Sequence, residues 1–283
     1  MKSFYKEIFS YLCEASQLNQ AKQNKDDEFY TYLKDVAKEM QHYDFSGKVV
    51  YCGCDNPEWS NVYKYFYENF HLLGLRGLIS SHYEMTDNSY ATYYDGVNTR
   101  KIKLDGNGDI LSAECKKLAE SADILVTNPP FSLFLKIVDA YKHMPFIMLC
   151  IPAQMASSSL LPLFKSNKIH YGYTTANKFY RPNNEDDKQV KTCWYTNLTV
   201  NKKAKPIQIV PYNEEQFEKY DNFDAVNTDK SDKIPEYDGL IGVPISILTK
   251  IDQNNMPFEI ITAKSGLKIN GKEKFKRLII RLK

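Results

Sequence analysis

Apolar positions along the chain change their period near Gly47. Before it, Phe4, Ile8, Phe9 and Leu12 recur at helical spacing within Ser3 to Leu18, Asn24 to Asp27 is a polar break, and Tyr32 to Tyr43 repeats the helical pattern. After it, short apolar runs alternate with amphipathic ones. Val49 to Cys52 predicts a buried strand, Gly53 a turn, and Val62, Tyr63, Phe66 and Phe70 the inner face of a helix. Leu78 to Ser81 predicts a second strand and Lys101 to Leu104 a third, which runs into Asp105-Gly106-Asn107-Gly108-Asp109. Ser112 to Glu120 follows as a helix, Ile124 to Val126 as a strand, Leu133 to Tyr141 as a helix and Phe146 to Ile151 as a strand. Further strands are expected at Lys168 to Tyr173 and Thr192 to Leu198.

Strands and helices alternating at such short intervals argue for an α/β fold with a parallel sheet covered on both faces. Ligands of such sheets bind beyond the carboxyl ends of the strands, which places Gly53 to Pro57, Asp105 to Asp109 and Asn128 to Phe131 along one rim. Between Tyr212 and Tyr237 the chain turns polar and acidic, predicting a long surface connection. Beyond it, Ile245 to Leu248, Phe258 to Ile261 and Leu278 to Ile280 predict a small β-rich lobe.

With 283 residues, 43% of them hydrophobic, the chain can bury one substantial core and a smaller appended lobe, so disorder is not the default. No apolar run approaches a membrane span, and Glu7 and Glu14 interrupt the first apolar stretch, so the protein is expected in the cytoplasm. The six cysteines are scattered, and the one close pair, Cys52 and Cys54, has no second pair at metal-ligand spacing. Reduced structural thiols are expected, and no metal. The formal net charge of +2 does not announce a polyanionic partner. Its distribution says more, because Lys264, Lys268, Lys272, Lys274, Lys276, Arg277, Arg281 and Lys283 face only Glu273 in the tail. Such a tail suits either phosphates or a solvated strand face.

One stretch carries chemistry. In "SADILVTNPPFSLF", Ser121 to Phe134, an apolar run stops on Asn128-Pro129-Pro130-Phe131 and a second begins at once. A residue before proline is pushed out of the α region, and both Asn128 and Pro129 stand there, so the loop is held extended. Neither proline has an N–H. The Asn128 side-chain oxygen and the Pro129 carbonyl can therefore face one point without a competing donor, beside the Phe131 ring. Two acceptors and a ring suit a planar group with an exocyclic NH₂, such as the N6 amine of adenine. Donating both hydrogens favours a more pyramidal nitrogen, whose lone pair is then free to attack an activated electrophile such as the sulfonium methyl of S-adenosylmethionine. Catalysis would be positional and electrostatic, with no side-chain nucleophile. A rigid turn that merely ends a strand is the plainer reading of the same residues.

Other segments stand in a fixed order around this loop. They are "DEFYT" at Asp27 to Thr31, "GKVVYCGCDNPEWSNVYKYF" at Gly47 to Phe66, "LDGNGDILSAE" at Leu104 to Glu114, "CWYTNL" at Cys193 to Leu198 and "YDGLIGVPISIL" at Tyr237 to Leu248. In that order, over most of the chain, they resemble the EcoRI-type family of adenine-specific DNA methyltransferases, within the Class I S-adenosylmethionine-dependent amino-methyltransferases. The resemblance implies a Rossmann-like domain with a seven-stranded, mostly parallel sheet over residues 47–200. It adds an N-terminal helical arm over 1–46 and a C-terminal lobe over 201–283. It further implies adenine-N6 methylation of a flipped base in double-stranded DNA by a bacterial or phage-encoded enzyme, with S-adenosylmethionine as cofactor. Asn128, Pro129, Pro130 and Phe131 would hold the base. Phe29, Tyr30 and Thr31 would line the methionine end of the cofactor, Gly53 and Asp55 its methionine and ribose moieties, and Asp109 and Ile110 its adenine. Motif order follows the γ arrangement, so sequence readout is expected after the catalytic half, roughly Ser157 to Lys283, including "KFYRPNNEDDKQ" and the basic tail. Nothing in the chain marks a companion restriction endonuclease or an oligomeric state.

Plainer readings stand beside these. Asp55 or Asn56 could cap a helix starting at Pro57, Asp109 could cap the helix from Ser112 or close a glycine-rich turn, and Phe29 and Tyr30 could be core. Trp59 and Trp194 are taken as packing residues, and the five histidines as having no functional role. The chain also departs from the general methyltransferase pattern: the first loop keeps only Gly53, and "LISSHYE" offers only Glu84 after the second strand. Two rival functions share the loop chemistry, methylation of RNA adenine and of protein glutamine. A catalytically inactive nucleic-acid-binding protein is a third.

Overall fold

The computed structural model describes residues 30–84, 89–181, 184–202 and 205–283. Phe29 and the helix expected over Ser3 to Leu18 lie outside the described residues. The chain divides into two compact units, one holding the described residues up to Ile151 together with Gly172–Leu198, the other Pro152–Tyr171 and Thr199–Lys283.

In the first unit, β1 (Tyr30–Thr31) precedes α1 (Leu33–Met40), and β2 (Val49–Cys52) leads into α2 (Asn61–Glu68). There follow β3 (Gly77–Ser81), β4 (Tyr90–Tyr94), β5 (Thr99–Lys103), α3 (Ala113–Glu120), β6 (Ile124–Thr127), α4 (Phe134–Tyr141) and β7 (Phe146–Cys150). Later elements of this unit are β9 (Lys178–Arg181), β10 (Asn184–Gln189) and β11 (Cys193–Thr196), while β8 (His170–Tyr171) ends the Pro152–Tyr171 segment of the other. The main sheet has the order β5-β4-β3-β2-β6-β7-β11-β8.

Four central strands, β3, β2, β6 and β7, run parallel. Every residue of these four is buried, which is why they read as continuous apolar runs rather than alternating ones. The helices supply the cover: Phe134, Ile137, Val138 and Tyr141 of α4 are buried at helical spacing. Outside the centre the sheet turns antiparallel, at β4 and β5 on one side and β11 on the other. The seven-stranded, mostly parallel sheet is thus corrected to an eight-stranded mixed one. The strand expected at Lys101 to Leu104 is the outer arm of a hairpin, closed where Asp95 Oδ1 accepts from the Val97 and Asn98 N–H groups. All of β5 is exposed, and its Arg100, Lys101 and Lys103 charge the edge against pairing with another chain.

A separate three-stranded sheet joins β1, β9 and β10, with Tyr30 opposite Tyr180 and Thr31 opposite Phe179. The "KFYRPNNEDDKQ" segment therefore belongs with the first unit. Glu39 of α1 fixes the neighbouring turn, although it is fully buried. Its carboxylate accepts from the N–H groups of Tyr173 and Thr174 at 2.8 and 2.6 Å, from the Thr174 hydroxyl at 2.7 Å and from the Tyr43 hydroxyl at 2.7 Å. That set satisfies a charge whose burial would otherwise be costly.

The second unit begins with a 3₁₀ turn (Pro152–Ala156) and α5 (Leu160–Lys165). Its strands are β12 (Gln208–Pro211), β13 (Lys219–Tyr220), β14 (Phe223–Asn227), β15 (Lys233–Glu236), β16 (Ile241–Pro244), β17 (Phe258–Lys264), β18 (Lys268–Ile269), β19 (Lys272–Glu273) and β20 (Arg277–Leu282). Five of them form a sheet in the order β13-β14-β16-β20-β17. The stretch from Tyr212 to Tyr237 is thus no surface connection: Phe217, Val226 and Ile234 are buried in it. Isolated apolar residues among acids hide a strand whose polar neighbours face out. Ile245 to Leu248 is a 3₁₀ helix (Ile245–Thr249) rather than a strand. Among the described residues no helix is long and apolar enough to cross a membrane.

Candidate active site

The carboxyl ends of β2, β3 and β6 meet the turn before α3 around a cavity of about 260 Å³. Of the residues singled out in the sequence, Tyr30, Thr31, Gly53, Asp55, Asp109, Ile110, Asn128, Pro129 and Pro130 all line it. Four chain segments distant in sequence thus converge, as the rim argument requires.

Asp55 knits the rim together. It is 3% exposed, and its carboxylate accepts from the Ser60 hydroxyl at 2.6 Å, the Thr127 hydroxyl at 2.8 Å and the Asn128 N–H at 3.4 Å. Its backbone carbonyl accepts from the Ser80 hydroxyl. Burial pushes the carboxyl up to about 6, and the hydrogen bonds from Ser60, Thr127, Asn128 and Cys54 offset that only in part. The helix that Asp55 or Asn56 could cap does not start at Pro57. It starts at Asn61, where the Ser60 oxygen accepts from the Val62 N–H at 3.1 Å, and Asn56 instead holds the Glu58 N–H at 2.8 Å. Asp55 therefore orients the cap and tethers the Asn-Pro-Pro-Phe loop at once.

The opposite acid is held more loosely. Asp109 is half-buried, and its Oδ1 accepts from the Leu111 N–H at 2.9 Å. Ser112, not Asp109, caps α3. Gly53 lets its turn pass close to Ile110: a Cβ there would lie 2.6 Å from Ile110 Cδ1. Gly108 has φ +74, and a Cβ there would collide with the His82 carbonyl. Asn61 of α2 donates to the Thr31 carbonyl at 2.8 Å, bringing β1 to the cavity. The Thr31 hydroxyl is buried with no hydrogen-bond partner among the described residues.

Phe131 departs from its expected place. Its side chain is 2% exposed and is not part of the cavity wall, where Leu133 appears instead. Conversely, Trp59, taken as a packing residue, is 43% exposed and lines the cavity with His82 and Tyr83. Trp194 does pack, fully buried. The three missed residues carry no spacing signal; only their positions just after β2 and β3 could have pointed to them. Among the described residues, Cys52, Cys54, Cys115, Cys150 and Cys193 are not joined in disulfides.

Asn128, Pro129 and Pro130, at the carboxyl end of a central parallel strand, share one cavity with a glycine turn and an acid from neighbouring loops, as expected of the α/β class that binds ligands at the sheet rim. Similarity to known proteins narrows the class. Residues 17–281 match the family described as adenine-specific methyltransferase EcoRI, and the chain belongs to that family. It is 34% identical to Type II methyltransferase M.EcoRI of Escherichia coli, over 94% of this chain and 96% of that protein. It is 33% identical to Type II methyltransferase M.MpnI of Mycoplasma pneumoniae, over 86% and 84%. With M.MgeORF184P of Mycoplasma genitalium it shares 29%, over 93% and 98%.

Proposed function

We propose that this adenine-specific methyltransferase transfers a methyl group from S-adenosylmethionine to the N6 amine of an adenine in a specific sequence of double-stranded DNA. The observation that carries the reading is the sharing of one cavity by Asn128 and Asp109. The wall fits a cationic, polar-edged cofactor, because it offers two carboxylates and a buried Thr31 hydroxyl. Asp109 keeps Oδ1 on its own turn and offers Oδ2 to an adenine amine, with Ile110 against the ring. Gly53, Tyr30 and Thr31 line the methionine end, and Phe29 is assigned there on resemblance alone. When bound, S-adenosylmethionine supplies a methyl group already activated on sulfur.

The chain's own task is to position the base. Asn128 Oδ1 and the Pro129 carbonyl accept the two N6 hydrogens, Pro130 keeps the loop stiff, and Asp55 and the buried Phe131 keep it from swinging. Reaching this point requires the adenine to leave the duplex, at an unstacking cost that phosphate and stacking contacts must offset. In the second unit a groove of about 640 Å³ bears Lys165 and Lys276 among the hydroxyls of Ser157, Ser158, Ser166 and Thr262, which suits a phosphate backbone. The enzyme is then bacterial or phage-encoded and acts in the cytoplasm.

Asn128→Ala tests the reading. Methyl incorporation into duplex DNA should fall by about 10²-fold or more, as for loss of a transition-state hydrogen-bond partner, while S-adenosylhomocysteine binding is retained. Unchanged turnover would refute the assignment. Structured RNA or protein outperforming duplex DNA as methyl acceptor would move the substrate class.

A further inference from the structure

We infer that the groove of the second unit grips duplex DNA by its phosphates without reading its bases, a proposal that rests on the duplex-DNA reading above. The groove lies within that one unit, between α5 and β17. β17 is the edge of its sheet, and its pairing with β20 slips between Ile260 and Thr262. Neighbours in a regular strand point to opposite faces, but a bulge breaks that alternation. Ile261 and Thr262 are thus both exposed, and both line the groove. Across from them, Ser158, Leu161, Pro162 and Lys165 recur at helical spacing along α5 and the turn before it.

Charge and chemistry select the occupant. Lys165 comes from the helical wall and Lys276 from the chain entering β20, and no acid lines the groove. Lys274 and Arg277 are both paired with Asp229, whereas Lys276, between them, has no ion-pair partner among the described residues, and neither has Lys165. Two uncompensated cations across a groove attract a polyanion. The Ser158 and Thr262 hydroxyls can donate to phosphate oxygens, and Leu161 and Ile261 can lie against sugars. Paired contacts to base edges come mostly from guanidinium, carboxamide and carboxylate groups, and the wall has none of these. What it does offer meets a phosphate, which is the same in every sequence. The expected recognition region, Ser157 to Lys283, is therefore divided, its groove positioning the duplex rather than choosing the site.

Salt titrations of DNA binding decide the matter, followed by fluorescence anisotropy from about 50 to 200 mM salt. Two duplexes are compared, one carrying the sequence in which the enzyme methylates genomic DNA and one scrambled. Lys165→Ala and Lys276→Ala should each weaken both duplexes by about fivefold and lower the slope of log affinity against log salt by about one, with the ratio between the duplexes unchanged. In turnover, KM for DNA should rise by about the same factor while kcat stays within about twofold, and the methylated sequence should not change. Lys276→Arg keeps the charge and should keep the slope. Lys230→Ala, at an exposed lysine of the same unit outside the groove, should alter none of these readings. Lys165→Ala, an exposed change, carries the test alone where Lys276→Ala does not fold. An unchanged slope in the folded groove variants, an equal loss in Lys230→Ala, or a relaxed sequence preference overturns the inference while methylation of duplex DNA stands. A wild-type protein that neither binds nor methylates any duplex overturns the DNA reading itself.

Discussion

Asp55 in the first unit and Asp229 in the second both gather several donors, yet they titrate in opposite directions. All of Asp55's donors are neutral: two hydroxyls and backbone N–H groups. Burial therefore dominates and raises its carboxyl to about 6. Asp229 instead takes Lys274 Nζ at 3.0 Å, Arg277 Nη2 at 2.6 Å and Asn227 Nδ2 at 3.2 Å. Desolvation pushes its carboxyl up too, but the Lys274 and Asn227 hydrogen bonds and the charges of Lys274 and Arg277 outweigh it and leave it lowered. The difference separates two uses of an acid. Where the fold needs only to close, the acid neutralises the buried Arg277. At the cavity, an acid hydrogen-bonded but uncompensated by a cation leaves a negative site into which a cationic ligand fits.

The largest expected effect comes from deleting the cavity acid. Asp55→Ala orphans the Ser60 and Thr127 hydroxyls, loosens the tether on Asn128 and removes the negative charge at the cavity, so S-adenosylmethionine affinity should fall roughly 100-fold, about 3 kcal/mol. Calorimetric binding of that ligand within threefold of wild type would break the comparison. Asp55→Asn should retain more, because its amide still accepts from one hydroxyl.

Removing the structural acid should do the reverse. Asp229→Ala leaves Arg277 buried without its carboxylate, and urea unfolding should register a loss of about 2 kcal/mol. That is below the roughly 3–5 kcal/mol of a fully buried pair because Asp229 itself is solvent-exposed. Methyl transfer at saturating substrates should stay within about twofold. A selective fall in turnover without loss of stability would erase the distinction between the units.

How much of this contrast was legible in the chain follows from the periods involved. The central strands, from Val49 to Cys52 and from Phe146 to Cys150, are apolar on both faces and announce themselves. So does the loop at Asn128, because two prolines after a strand leave few conformations. The hairpin strand Tyr90–Tyr94 and the strand Phe223–Asn227 did not, since polar residues such as Thr92, Asp224 and Asn227 interrupt their apolar ones. The basic tail looked uniform, yet Arg277 is buried and paired while Arg281 is exposed. Only tertiary contact separates them. Likewise Asp55 was identified, but its role as the hub for Ser60, Thr127 and Asn128 depends on side chains far apart in sequence. His82 and Trp59 showed no pattern at all, because a cavity wall has no period.

The finest test of the comparison is its pH dependence. The Asp55 carboxyl in the folded protein titrates near 6, above its ordinary 3.8, so the folded state holds that proton more tightly than the unfolded chain. Its contribution to stability is therefore present below about pH 4 and is lost as pH rises through 6, at a cost of about 3 kcal/mol for a shift of some two units. A bound cation favours the ionised form and reverses the preference. Cofactor binding should then release a proton near pH 5 to 6, and affinity should fall about tenfold from pH 7 to pH 5, as the ionised fraction drops from roughly nine-tenths to one-tenth. Asp229 does not interfere, because its lowered carboxyl contributes stability that is lost only as pH falls through a value below the ordinary carboxylate range. Calorimetry of S-adenosylmethionine from pH 5 to pH 8, in two buffers of different ionisation enthalpy, reads both affinity and protons. A flat wild-type profile, or the same slope in Asp55→Asn, would show that the uncompensated charge at the cavity is not what the cationic ligand meets.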